Sequence, residues 1–185
     1  YLFIMKLNKT EPTMKFLFDN KKDLNRYLLL FIPYNGEIDY LKKHISILKK
    51  QTYKNFDLLL IIESTASEGK VKEIINSCPF NVRVYKKLGE PSGPDGSAFL
   101  AEKYADEKGY KFFIYADVDA IPTENNFIEK LYSMSDENKV IIPNLSTIKN
   151  GKQISISKNI IINHYGLVPV QLIRKVGYCF YPFFY

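Results

Sequence analysis

Three apolar runs constrain this chain more than any other feature: "YLLLFIPY" at 27–34, "FDLLLIIES" at 56–64 and "YKFFIYADVD" at 110–119. None alternates apolar with polar residues, so each needs cover on both faces, as a buried parallel strand does. Each also falls far short of the ~20 apolar residues that cross a bilayer. Between the first two, "EIDYLKKHISILKKQ" puts Ile38, Leu41, Ile45 and Leu48 on one side with lysines opposite, which is helical spacing. His44 falls on the same stripe and reads as a packing or surface histidine ahead of any ligand role. After the second run, "STASEGKVKEIINSC" offers Ser67 as a helix cap before Val71, Ile74 and Ile75. "NVRVYK" alternates like a shorter strand, and "SAFLAEKYADEKG" has helical character. Strand, helix, strand, helix, strand, loop, helix, strand predicts an α/β domain with a mainly parallel sheet.

The third run carries chemistry at its end. It leads directly into Asp117 and Asp119, and Pro122 closes the segment. On a strand, positions i and i+2 share a face, where two carboxylates repel unless a cation sits between them. Hard divalent ions such as Mg²⁺ and Mn²⁺ take oxygen ligands and are commonly held by one or two carboxylates plus substrate phosphates. A solvated turn at a strand end fits the same residues. In a parallel sheet, ligands bind at the carboxyl ends of the strands. Pro33-Tyr34-Asn35, Glu63 and Asp117-x-Asp119 all lie at such ends, so distant parts of the chain are expected on one rim.

Past Pro122, "TENNFIEKLYS" reads as a helix capped at Thr123, and "KVIIPNL" as a strand. "KQISISKNIIINHYG" reads as a hairpin or edge strand, and "LVPVQLIRKVGYCFYPFFY" as a short amphipathic helix followed by an aromatic cluster. His164 could serve as a metal ligand as neutral imidazole, although a histidine so placed more often caps or packs. The tyrosines and phenylalanines read as core or packing residues before any ligand-stacking role.

The 185 residues suit one domain. The net charge of +6 is mostly lysine, since only Arg26, Arg83 and Arg174 are arginines, and no dense basic run follows a nucleic-acid backbone. Nucleic acid is therefore not an expected partner. Cys78 and Cys179 are far apart without a C-x-x-C companion, which indicates neither a disulfide framework nor a zinc site. The chain reads as cytoplasmic, its positive balance allowing peripheral association at the inner face of a membrane. It starts at Tyr1 and not at Met, which suggests a trimmed product or fragment.

The pieces "LLLFIPYNGEIDYLKKHISILKKQTYKNFDLLLIIES" and "YADVDAIPTENNFIEKL", with the Gln51-Thr52-Tyr53 turn between the first two strands, resemble the inverting family 2 glycosyltransferases of GT-A fold. The tail "LIRKVGYCFYPFFY" resembles the segment leading to their acceptor side. The resemblance implies a three-layer α/β/α sandwich around a mainly parallel sheet. It also implies an N-terminal extension at 1–26, a donor-binding half at 27–122 and the start of an incomplete acceptor-side half at 123–185. Pro33, Tyr34 and Asn35 would border the nucleotide, Glu63 would contact the base or ribose, Asp117 would face the ribose and donor sugar, and Asp119 would hold the metal on the diphosphate. The implied cofactor is Mn²⁺ or Mg²⁺, with Asp117, Asp119 and His164 as its candidate ligands. The implied partners are a UDP- or GDP-linked sugar and a saccharide or lipid-linked acceptor. The aromatic C-terminal segment offers a surface for an oligomer.

Two departures qualify that expectation. Family members follow the Gly-rich loop with an Arg-Asn pair, whereas this chain reads "GPDGSAFLAEKY". Lys86, Lys87 or Lys103 would then have to neutralise phosphate, while Gly93, Asp95, Gly96 and Ser97 could offer backbone N–H groups. Turn formers at the surface explain that loop equally well. The family's general base lies after the aromatic segment, so it is expected beyond Tyr185 and no catalytic residue is assigned. Two rival readings remain. One is a nucleotidyltransferase, which calls for a Gly-rich basic loop after the first strand that "IPYNGEIDY" does not supply. The other is a non-catalytic binding or assembly module on a degenerate fold.

Overall fold

The computed structural model describes residues 12–20, 23–24, 27–63, 68–89, 93–143, 146–149, 152–155 and 165–178. Ser67, His164, Cys179 and the aromatic segment after it lie outside the described residues.

The three apolar runs are strands with no exposed position: β2 (Leu28–Tyr34), β3 (Asp57–Ile62) and β5 (Phe112–Ala116). Between them lie α1 (Ile38–Lys50), α2 (Gly69–Asn76), β4 (Asn81–Leu88) and α3 (Gly93–Glu107). The segment read as an N-terminal extension supplies β1 (Thr13–Asp19). After β5 come α4 (Phe127–Ser133), a separate hairpin of β6 (Ser146–Lys149) and β7 (Lys152–Ser155), then β8 (Tyr165–Pro169) and α5 (Val170–Val176).

The main sheet has the order β1-β4-β3-β2-β5-β8. The four inner strands β4, β3, β2 and β5 run parallel, and β1 and β8 close the edges antiparallel. Side chains alternate across this sheet. Leu28, Leu30 and Ile32 pack in one core with Leu41, Ile45, Leu48, Val71 and Ile75 of α1 and α2. Leu29 and Phe31 pack on the other face with Ala98, Ala101 and Tyr104 of α3 and Ile173 of α5. The result is the expected three-layer α/β/α arrangement, with the helical layers assigned by the parity of the strand residues.

The topology also locates a crevice. From β2 the chain steps to β3 and β4 in one direction, then returns to add β5 on the other side of β2. Strand order therefore reverses between the carboxyl ends of β2 and β5, the place where open α/β sheets bind ligands.

Three local expectations are corrected. The stretch expected as a loop from Gly93 to Ser97 forms the first turns of α3, which begins at Gly93 and accepts Pro94 where a first-turn proline costs no hydrogen bond. The helix expected from Thr123 begins at Phe127: the carbonyls of residues 124 and 125 accept from Gln51 Nε2 and the Thr52 N–H at the end of α1, and a single 3.4 Å turn bond from the Phe127 N–H to the Glu124 carbonyl leads into α4. Of "KVIIPNL", expected as a strand, the described residues 139–143 form none: Ile141 makes an isolated bridge to Leu167 of β8 through two backbone bonds of 2.9 Å, and Pro143 has no N–H to extend the ladder.

Candidate active site

β5 ends at Ala116, and the two aspartates lie in the turn that follows. The Ala120 N–H donates to the Asp117 carbonyl at 3.1 Å, closing a turn over Asp117, Val118, Asp119 and Ala120. This corrects the strand register expected for the pair: a turn, not a pleat, sets where the carboxylates point. Val118 is 8% exposed and packs in the α1-side core. Burying a side chain of that size stabilises by roughly 1.5–3 kcal/mol, which tucks the middle of the turn inward. Asp117 is left half-buried and Asp119 exposed.

Two buried side chains hold this turn from opposite faces of the sheet. Tyr115, packed against the α3-side core, donates its hydroxyl to Asp117 Oδ1 at 2.5 Å. Burial pushes that phenol well above its usual range, and the bond to Asp117 and the charges of Asp117, Asp95 and Asp119 push the same way. It stays a proton donor throughout the physiological range. On the α1 side, the His44 ring is fully buried with Nδ1 3.1 Å from the Val118 carbonyl. Desolvation lowers His44 to about 4, so the ring is neutral and the shared proton belongs to Nδ1.

The carboxylate of Asp119 has no hydrogen-bond or ion-pair partner among the described residues. An exposed, unengaged carboxylate beside a half-buried one suits a hard divalent ion that keeps waters and completes its shell on phosphate oxygens. No group of three His, Cys, Asp or Glu side chains among the described residues is placed to hold an ion unaided.

The other expected residues are distributed unevenly. Asn35 is exposed just past β2, its Oδ1 accepting from the Glu37 N–H at 3.3 Å. Pro33 and Tyr34 are buried in β2, and Tyr34 packs in the α1-side core. Glu63 is nearly enclosed: the Ser97 hydroxyl donates to its Oε1 at 2.6 Å, and Lys87 forms an ion pair with its Oε2. Lys87 itself is completely buried. The structure thus spends Glu63, Ser97 and Lys87 on one another, joining the carboxyl ends of β3 and β4 to the start of α3. Gly96 is buried beside them. Lys86 pairs with Glu68 at 2.8 Å, and the Lys103 ammonium lies 5.4 Å from the centre of the Phe99 ring. Asp95, at the first turn of α3, stands near enough to Tyr115 to raise its phenol, which brings a third carboxylate toward the rim.

Gln51 was legible only as part of a turn. In the structure it is 1% exposed, donates from Nε2 to the Glu124 carbonyl at 2.8 Å and accepts the Ile128 N–H at 3.0 Å. One side chain therefore closes the segment after the aspartates and caps α4. A groove of about 510 Å³ lined by Phe16, Phe18, Asp19, Asn20, Lys72 and Asn76 lies at the β1 edge, away from this rim.

Solved structures share the architecture. A mannosyltransferase, PcManGT of Pyrobaculum calidifontis, in complex with GDP-Man and Mn²⁺, superposes with a TM-score of 0.64 at 11% identity over 84% of this chain and 49% of that one. TarS 1–349 of S. aureus in complex with UDP-GlcNAc gives a TM-score of 0.66 at 14% identity over 82% of this chain and 47% of that one. The chain has the GT-A fold. Identities this low carry the GT-A fold and not the reaction. The chain spans about half the length of these glycosyltransferase structures. No family model and no curated protein matches the sequence. Among the described residues no helix is long and apolar enough to cross a membrane.

Proposed function

We propose that this chain is the nucleotide-sugar-binding portion, residues 27–122 with the strands that flank them, of an inverting, family 2-like glycosyltransferase that uses Mn²⁺ or Mg²⁺. The observation that carries the reading is the Asp117–Ala120 turn at the topological switch point, pinned from both faces while the Asp119 carboxylate has no partner among the described residues.

In this reading Asp119, with Asp117 behind it, holds the ion against the diphosphate of a UDP- or GDP-linked sugar. The bound ion supplies Lewis-acid stabilisation of the charge that builds on the diphosphate as the sugar leaves. Asp117, oriented by Tyr115, faces the ribose and donor sugar. Asn35 lies across the crevice from it at the end of β2. The N-terminus of α3 adds its positive dipole end to the same rim, where Asp95 partly offsets it. The Glu63–Lys87–Ser97 cluster contributes by fixing that helix end. The acceptor is a saccharide or lipid-linked saccharide, and the proton-accepting base comes from outside the donor-binding portion. The nucleotidyltransferase alternative loses ground because the turn after β2 is the Asn35–Glu37 turn, with no lysine before α1.

Thermal unfolding with a panel of UDP- and GDP-sugars tests this. A matching donor at 100 times its Kd stabilises by about 2.7 kcal/mol, and the shift should require Mn²⁺ or Mg²⁺. Absence of a shift with every donor would favour a non-catalytic assembly module.

A further inference from the structure

His44 lies on α1, outside the crevice, and no step of the proposed reaction uses it. Its environment is nonetheless costly. The ring is completely enclosed, and its Nε2 has no partner among the described residues. Its packing neighbours are apolar or aromatic: Leu41, Ile45 and Leu48 share its helix face, and the Tyr165 ring of β8 lies 6.1 Å away at 33°, while the backbone of Asp117 and the charge of Asp119 lie near enough to act on the ring. The Tyr165 hydroxyl, also buried, has no partner among the described residues either. A leucine at position 44 would leave no orphan nitrogen and would suit the stripe. What leucine could not do is donate a hydrogen bond to the Val118 carbonyl from a residue 74 positions away.

That carbonyl belongs to the peptide joining Val118 to Asp119. A donor fixed on α1 sets the orientation of this peptide plane, and the plane sets the direction in which the Asp119 side chain leaves the turn. We infer that His44 is a positioning residue: the Nδ1–H bond to Val118 aims the Asp119 carboxylate at the diphosphate-bound cation. The inference rests on the donor-site reading and assigns a cause to the geometry that reading needs. Tyr115 orients the Asp117 carboxylate directly, whereas His44 acts on Asp119 through the backbone.

Two variants separate this role from packing. His44→Leu removes the donor and keeps an apolar side chain. His44→Asn retains an amide N–H at about the position of Nδ1. Amide hydrogen exchange is read at Ala120, whose N–H closes the turn, and at Ile32 in the centre of β2. With His44→Leu, Ala120 should exchange about tenfold faster while Ile32 keeps its protection; with His44→Asn, Ala120 should return to within a factor of two or three of wild type. Calorimetric titration of UDP and GDP in the presence of MnCl₂ should show the same order, with affinity about fivefold to tenfold weaker in His44→Leu, about one lost hydrogen bond. Equal protection of Ala120 in wild type and His44→Leu would overturn the inference, as would equal losses in both variants or parallel loss at Ala120 and Ile32. Wild-type protein that binds neither nucleotide would overturn the donor-site reading itself. Nucleotide binding that is intact and indifferent to His44→Leu would overturn only the role of His44.

Discussion

The ion pair between Lys87 and Glu63 offers a sharp test of how this rim is built. The Lys87 side chain has no exposure and that of Glu63 has 11%, so the pair interacts in a medium far less polarisable than water. Lys87→Met keeps most of the aliphatic stem and removes the charge, leaving the Glu63 carboxylate with the Ser97 hydroxyl but without its cation. Breaking a buried pair in this way costs about 3–5 kcal/mol, and the residual exposure of Glu63 places the expectation in the lower half of that range. For a chain of this size each kcal/mol moves the unfolding midpoint by about 2–4 °C, so a fall of roughly 6–16 °C is expected. Adding Glu63→Gln should restore most of the loss, because the amide still accepts from Ser97 and no uncompensated charge remains. Urea denaturation followed by circular dichroism measures all three proteins. A Lys87→Met variant within about 1 kcal/mol of wild type, or a double variant no more stable than the single one, would refute the reasoning.

Other expectations follow from the same geometry. Gln51→Leu should cost roughly 1–3 kcal/mol in the same assay, since it leaves the Ile128 N–H without its partner and the Glu124 carbonyl with the 3.4 Å bond from the Phe127 N–H; a loss under 0.5 kcal/mol would contradict the capping role. His44 is depressed from 6.5 in the unfolded chain to about 4 in the fold, so its contribution is complete above pH 6.5 and is lost as the pH falls toward 4. Wild type should therefore lose up to roughly 3 kcal/mol across that window beyond what His44→Leu loses, and parallel pH profiles for the two proteins would contradict the buried neutral ring.

The sequence announced the layers because each buried strand is apolar on both faces, a pattern that neither a surface strand nor a loop produces. It announced the rim because Asn35, Glu63 and Asp117 each follow such a run. Side-chain allegiance was not legible. Glu63 and Lys87 are 24 positions apart and look equally available to a ligand until the parallel pairing of β3 with β4 brings their ends together. Ser97 looked like part of a loop because glycine and proline dominate its neighbours, and tertiary packing overrode that composition. The Asp117–Ala120 turn looked like strand because Val118 is apolar, but its burial belongs to the α1 core and not to a pleat. Gln51 gave no signal beyond its polarity, since its two partners lie 73 and 77 residues away.

The central claim is that Asp119 holds the cation through which this fold binds a nucleoside diphosphate. Calorimetric titration of UDP and of GDP into the wild-type chain and Asp119→Ala, each with and without Mn²⁺, tests it most directly. The account predicts that one nucleotide binds wild type only when Mn²⁺ is present, and that Asp119→Ala weakens that binding by about tenfold or more, a loss of at least 1.4 kcal/mol. Binding that is equal in the two proteins, or absent from a folded wild type with both nucleotides, would contradict it.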